Sequence, residues 1–136
     1  MEQKIKDRSE LALENFKGGM NCSQSVVMAY SNLLGADSKT IFRATEGFGL
    51  GMGGMRSVCG AVTGLFMLLG LKNSSGNTKI NTKAETLKLV KEAADKFKNI
   101  NGSIICAELK GQTGLKTVPC TKCIEDACKI FEEYTF

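Results

Sequence analysis

Six cysteines are the residues of this sequence best suited to chemistry, and four of them fall at predicted helix starts. A helix N-terminus offers unpaired N–H groups and partial positive charge, which stabilise a thiolate and lower the pKa of a cysteine below its usual value of about 8.5. Arg56, three residues before Cys59, is expected to add to that positive charge. We therefore predict a redox or metal-binding site, and its candidate catalytic residues are Cys22, Cys59, Cys106 and Cys120.

The other two cysteines lie in the predicted last helix and differ from each other. Cys123 follows Cys120 in a Cys-x-x-Cys at a helix start, a spacing that lets two sulfurs meet or share one metal ion. Cys128 shares a predicted helical face with Ile124 and Phe131, which is typical of a cysteine that fills the core. The candidate metal ligands are Cys22, Cys59, Cys106, Cys120 and Cys123.

The sequence contains no histidine, which excludes several kinds of catalytic and metal site. Cys–His nucleophilic catalysis and zinc sites with histidine ligands are excluded, so a metal would be held mainly by sulfur. Four thiolates suit zinc or an iron–sulfur cluster, but only Cys120 and Cys123 form the kind of close pair that structural zinc usually uses. The wide spacing of the other cysteines predicts a site assembled between helices, and the cofactor is left open.

Glycines are concentrated just before Cys59. Residues 49–54 match Gly-x-Gly-x-x-Gly, but no predicted strand precedes them and no acidic residue follows in a βαβ unit, so nucleotide binding is not favoured. We interpret the glycines as backbone that closely approaches the sulfurs or a partner helix. Small residues after Cys59 would likewise let another helix bring its cysteine into reach. The candidate cofactor-binding residues are Gly54, Gly60, Ala61 and Gly64.

Helix caps locate the elements that must position these cysteines. The spacing of apolar residues predicts a first helix from Gln3 to Phe16. Asn21 with Gln24 then fits a capping box ahead of an apolar run that ends at Gly35, so Cys22 is expected in a first helical turn. Further predicted caps are Asp37 or Ser38, Thr82 with Glu85, Ser103, and Pro119 as a first helical residue.

The longest apolar stretch, Val58 to Leu71, predicts a central buried helix over roughly residues 56–71. It contains glycines and is shorter than the roughly 20 residues needed to cross a bilayer, so the protein is not expected to be membrane-embedded. No segment shows the alternation typical of a strand. We predict an all-α, single-domain bundle of about five to seven helices around this central helix.

Length and charge exclude several functional classes. The chain has 136 residues, enough for one domain with its own core. The net charge of +4 is scattered, without the basic runs interleaved with aromatic residues that nucleic-acid binding requires. No secretory signal is visible after Met1, and the predicted location is cytoplasmic, where cysteines are more often catalytic or metal-binding than disulfide-bonded.

The order of the cysteine motifs resembles a known family. Cys22 is followed by Cys59-Gly-Ala-Val-Thr-Gly64, then by Cys106 and Cys120. This pattern is similar to the C_GCAxxG_C_C family, redox-active proteins with four characteristic cysteines and a Cys-Gly-Ala-x-x-Gly motif. The resemblance implies that these four are the family's cysteines, with Cys123 as the alternative to Cys120. It also implies a cytosolic protein of an anaerobe, often linked to transporter genes, and names no substrate.

Three functions are compatible with these features. The leading hypothesis is a thiol redox protein that uses disulfide exchange, as a thiol-disulfide oxidoreductase, or a cysteine-ligated iron–sulfur cluster for electron transfer. Its partner would be a redox protein or a small thiol. The alternative is a four-cysteine module that binds zinc or another soft metal without turnover, and the third is an interaction protein with cysteines in its core. The glycine-rich loop and apolar central helix would suit a homodimer.

Overall fold

The computed structural model describes residues 8–111 and 117–134, and these ranges form an all-α single-domain bundle. This confirms the predicted fold class. The helices are α1 (Ser9–Lys17), α2 (Cys22–Met28), α3 (Ser38–Thr45), α4 (Gly49–Met52), α5 (Gly60–Asn73), α6 (Lys83–Asn101), α7 (Cys106–Leu109) and α8 (Cys120–Glu133). Short 3₁₀ turns follow α2 and α3, at Ser31–Leu34 and Glu46–Phe48. No helix of the described ranges is long and apolar enough to cross a membrane.

Caps fix the starts of α2 and α3 where the sequence predicts them. The Asn21 side chain accepts a hydrogen bond from the Gln24 N–H at 2.9 Å, and the Gln24 side chain accepts one from the Asn21 N–H at 3.1 Å. Asp37 accepts a hydrogen bond from the Thr40 N–H at the start of α3. The predicted first helix ends near Phe16 as expected, while its start at Gln3 lies outside the described residues.

Three predicted caps are wrong in detail. Ser103 does not cap α7, whose N-cap is Ile105, and the Ser103 hydroxyl instead accepts a hydrogen bond from the Ile105 N–H at 2.9 Å. Thr82 makes no side-chain cap on α6, and its hydroxyl instead accepts a hydrogen bond from the Ser75 N–H in the preceding loop. Pro119 is the N-cap of α8 and not its first residue, with extended backbone at φ −62° and ψ 148°. Because Pro119 is the N-cap, Cys120 is the first residue of α8.

Helix α5 is the centre of the bundle, and it packs against α2, α6 and α8. Its fully buried side chains include Val62, Leu65 and Leu68. The helix begins at Gly60, later than the predicted residue 56, because the preceding segment is extended and pairs with another part of the chain. Val58 forms an isolated antiparallel bridge with Ile105. That bridge joins the start of α5 to the start of α7.

Helix α8 closes the bundle against α1, α2 and α5. The rings of Tyr30 and Phe131 meet edge to face at 4.9 Å between centroids. The Tyr30 hydroxyl donates a 2.5 Å hydrogen bond to the Glu132 carboxylate. These contacts hold the last turns of α8, so its first turn has a fixed position over α2 and α5.

Candidate functional site

The four candidate catalytic cysteines lie at helix starts, as the sequence predicts. Cys22, Cys106 and Cys120 are the first residues of α2, α7 and α8, and Cys59 is the N-cap of α5. All six cysteines are free thiols. Among these four sulfurs, that of Cys59 interacts with backbone N–H groups in the first turn of its helix.

Four thiols interact in two pairs between helices, and in each pair one thiol shifts the pKa of the other. The thiols of Cys22 and Cys120 join α2 to α8, and we call them the outer pair. The thiols of Cys59 and Cys123 join the start of α5 to α8, and we call them the inner pair. Cys120 and Cys123 are three residues apart and so lie on one face of α8. One turn of α8 therefore contributes a sulfur to each pair.

The two pairs differ in exposure. Cys120 is part exposed, whereas Cys22, Cys59 and Cys123 expose only 6%, 5% and 0% of their surface. A molecule in solution therefore reaches the site through Cys120.

Cys120 is held as a thiolate by two neighbours. The hydrogen bond from the Cys22 thiol is the main reason that its pKa is lowered to about 5, against the opposing effect of partial burial. Lys110 also lowers this pKa, because its ammonium Nζ lies 2.9 Å from Cys120 Sγ. The same Nζ donates a hydrogen bond to the Val118 carbonyl at 3.0 Å, which fixes it beside the sulfur. Cys22 keeps its proton, and its pKa is raised mainly by donating to Cys120.

Cys59 is the thiolate of the inner pair. The hydrogen bond from the Cys123 thiol is the largest effect, and it lowers the pKa of Cys59 to about 7 although burial opposes the charge. The backbone N–H groups of Ala61 and Val62 in the first turn of α5 lower it further. Cys123 keeps its proton, and the hydrogen bond to Cys59 raises its pKa.

Glycines of the Cys59–Gly64 segment let α2 approach α5 closely. A Cβ on Gly60 would lie 3.1 Å from Cys22 Cβ, and a Cβ on Gly64 would lie 3.1 Å from the Ser23 carbonyl oxygen. Such distances are too short for an unshifted side chain, so both positions require glycine for this packing. The close neighbour expected from the sequence is therefore helix α2, and its approach brings Cys22 beside the start of α5.

The candidate residue Gly54 and the predicted core cysteine Cys128 have different surroundings. Gly54 lies in the exposed loop before Cys59, with a left-handed φ of +84° and open space around its Cβ position. Cys128 is fully buried in the core, as predicted, and burial raises its pKa to about 12. Neither residue belongs to the two thiol pairs.

Cys106 is buried next to the pairs but has a different partner. Arg56 donates to Cys106 Sγ at 3.9 Å, so the charge expected at Cys59 lies at this sulfur. A Cβ on Gly51 would lie 2.8 Å from Cys106 Cβ, which shows how closely the glycine-rich loop covers it. The antiparallel bridge of Val58 with Ile105 brings together the residues directly before Cys59 and Cys106.

Lys110 is a functional candidate that the sequence does not reveal. It is one of 18 basic residues scattered along the chain, with no motif around it. It follows α7 directly, and a 2.7 Å hydrogen bond from the Val118 N–H to the Leu109 carbonyl brings the segment before α8 beside it. The role of Cys123 also differs from the sequence-based prediction. The structure pairs Cys123 with Cys59, whereas the predicted catalytic Cys106 contacts Arg56.

Within the parts of the chain that the structure describes, no group of three or more Cys, His, Asp or Glu side chains is placed to hold a metal ion. The Lys110 ammonium lies directly against Cys120 Sγ, so a metal cation bound there would meet like charge. The predicted metal module therefore stays a prediction, which elemental analysis of protein purified without oxygen tests.

One protein family matches nearly the whole chain. Its model covers residues 20–134, and the family is described as "Putative redox-active protein (C_GCAxxG_C_C)". No curated protein and no solved structure matches the chain. The matched range contains both thiol pairs and the Cys59–Gly64 segment that brings α2 to α5. The chain belongs to the C_GCAxxG_C_C family.

Proposed function

We propose that this protein exchanges electrons with disulfides, with Cys120 as the attacking thiolate and Cys22 as the resolving thiol. The observation that carries the proposal is the 2.9 Å contact between Lys110 Nζ and Cys120 Sγ beside the Cys22 thiol. An ammonium group at this distance favours the thiolate, which is the nucleophile of disulfide exchange. The part-exposed position of Cys120 gives a substrate access to it.

The reaction consists of two exchange steps. The Cys120 thiolate attacks one sulfur of a substrate disulfide, forms a mixed disulfide, and releases the other sulfur as a thiolate that takes a proton from water. Cys22 then loses its proton and attacks Cys120 Sγ, and the second substrate sulfur leaves with that proton. The substrate gains two electrons and becomes a dithiol, while the outer pair becomes a disulfide.

Accessibility limits what the substrate can be. Cys22 is almost fully buried, so only Cys120 can form the first mixed disulfide. We propose a small disulfide or an exposed disulfide of a redox protein as the substrate class. Free thiols with low pKa persist in a reducing compartment, which supports a cytoplasmic location.

The test uses oxidised glutathione as the substrate disulfide. Reduced protein is incubated with it without oxygen, quenched with acid at successive times, and mapped by mass spectrometry. We expect glutathione first on Cys120 and then a disulfide between Cys22 and Cys120. The Cys22→Ser variant should accumulate glutathione on Cys120, because the resolving thiol is absent.

The matched comparison is between two cysteines at helix starts. Cys120→Ser should slow thiol loss by at least about tenfold, because no other thiol combines a low pKa with exposure. Cys106→Ser should retain the wild-type rate, since Cys106 is buried against Arg56. Equal rates in the two variants, or glutathione mainly on Cys106, would contradict the proposal.

A further inference from the structure

We propose that the inner pair, Cys59 and Cys123, is a second redox site that reduces the outer-pair disulfide internally, so that one chain stores two disulfides. This inference rests on the proposed exchange at Cys120 and extends it. An outer pair that is regenerated in this way accepts a second substrate disulfide before any external reductant acts.

The inner pair is a dithiol that solution cannot reach. Cys59 and Cys123 are within hydrogen-bonding reach of each other and expose 5% and 0% of their surface. A substrate disulfide that meets Cys120 at the surface cannot meet either of them. If they are to be oxidised in the folded protein, the oxidant must be the outer-pair disulfide.

Contacts between the pairs provide the route. Cys22, Cys59 and Cys123 belong to one buried cluster, and Cys120 packs against it. The Cβ position of Gly60, the residue after Cys59, is 3.1 Å from Cys22 Cβ. Cys120 and Cys123 are one turn apart on α8. Cys59 and Cys22 therefore come together where α2 meets the start of α5, and Cys123 and Cys120 lie one turn apart on α8.

The transfer balances without an added reagent. The Cys59 thiolate attacks Cys22 Sγ in the outer-pair disulfide, and Cys120 leaves as the thiolate that Lys110 stabilises. Cys123 then loses its proton and attacks Cys59 Sγ, and Cys22 leaves and takes up that proton. The outer pair gains two electrons and the inner pair loses two. The low pKa of Cys120, about 5, makes it the better leaving group.

Wild-type protein gives the first test. Reduced protein receives one equivalent of oxidised glutathione without oxygen, and acid-quenched samples are digested with trypsin. Cleavage after Lys122 separates Cys120 from Cys123, so the two disulfides yield different cross-linked peptides. We expect the outer disulfide to form first and the inner disulfide to replace it. Excess oxidised glutathione should remove four of the six thiols.

Variants test the direction of transfer. Cys123→Ser should stop the reaction at a disulfide between Cys59 and Cys22, because the second attack is missing. Cys120→Ser should protect the inner pair from oxidation altogether. Cys106→Ser should reproduce the wild-type order, and a Cys128→Ala background removes the other cysteine from the tryptic peptide that contains Cys123.

The outcomes separate the two proposals. Replacement of the outer disulfide by the inner one supports the internal transfer. An outer disulfide that forms and persists, with only two thiols lost in excess oxidant, overturns the transfer and leaves the proposed function intact. Oxidation of the inner pair in Cys120→Ser also overturns the transfer. Failure to form the outer disulfide, including a disulfide within Cys120-Thr-Lys-Cys123, overturns the proposed function itself.

Discussion

Two neighbours stabilise the thiolate of Cys120, and they act in different ways. Cys22 donates one hydrogen bond and must later give up its proton, so its support ends when it becomes the resolving nucleophile. Lys110 stays charged throughout and also binds the Val118 carbonyl. At the scale of single residues, Lys110 is therefore the group that favours the thiolate both before the attack and after the thiolate leaves.

Replacement of Lys110 tests this role. We expect Lys110→Met to raise the pKa of Cys120 from about 5 by about one to two units, because one of the groups that favours the thiolate is lost. The rate of alkylation by iodoacetamide, measured against pH, gives this pKa directly. Lys91→Met is the matched control, since Lys91 pairs with Asp95 on the surface of α6. An unchanged alkylation profile in Lys110→Met would contradict the role.

Replacement of Cys128 should change the stability of the fold and leave the reactivity of Cys120 unchanged. The Cys128 sulfur is fully buried on α8. Cys128→Ala should lower the free energy of unfolding by about 1 kcal/mol, because it leaves a small cavity in the core. The alkylation rate of Cys120 should stay at the wild-type value. Urea unfolding and alkylation of the same preparation check both points, and a slowed alkylation would place Cys128 in the site.

At the scale of elements, the sequence locates the starts of α2 and α3 but does not show which helices are neighbours. Asn21 and Asp37 fix their caps through contacts three residues away, and such contacts are visible in the sequence. The partner of Cys59 depends instead on how α8 lies across α5, which long-range packing decides. The extended bridge of Val58 with Ile105 has too few residues to show strand alternation. The approach of Lys110 to Cys120 follows from the hydrogen bond between the Val118 N–H and the Leu109 carbonyl, which no sequence pattern predicts.

The close approach of α2 to α5 depends on Gly64. We expect Gly64→Ala to lower the free energy of unfolding by about 1–3 kcal/mol. The added methyl would lie 3.1 Å from the Ser23 carbonyl oxygen and 3.1 Å from Val26 Cβ. The shift of α2 should also slow formation of the disulfide between Cys22 and Cys120. Urea unfolding and the glutathione reaction measure the two effects.

Gly70 on the same helix supplies the control. A Cβ at Gly70 would meet nothing within 4 Å, so Gly70→Ala should be neutral or stabilise the helix by about 0.5–1 kcal/mol. It should leave disulfide formation unchanged. If both substitutions behave alike, the effect belongs to helix propensity and the packing of α2 on α5 is not what holds Cys22 in place.

For the whole molecule, the two thiol pairs connect chain segments that are far apart in sequence. The outer pair joins α2 to α8, and the inner pair joins the start of α5 to α8. Both thiolates are stabilised only when these three helices are assembled. The ionisation of the thiols is therefore coupled to folding of the entire bundle, and stability must depend on pH.

The sign of that dependence changes near the ordinary pKa of a cysteine, at about 8.5 to 9. Below this pH the unfolded chain holds a proton on Cys120 that the folded protein has lost, so stability rises with pH from about 5 to about 9. Cys59 contributes in the same direction from about 7. Above 9 the unfolded chain loses protons that Cys22 and Cys123 retain in the fold, so stability falls.

Urea unfolding of the fully reduced protein across this range measures the effect. We expect the site to contribute most stability near pH 9, and Cys120→Ala should flatten the rise between about pH 5 and 7, where Cys59 does not yet contribute. Cys106→Ala keeps both pairs and should retain the wild-type slope. A slope that is the same in both variants would show that the thiolate of Cys120 is not linked to folding, and that Lys110 and Cys22 do not stabilise it in the native bundle.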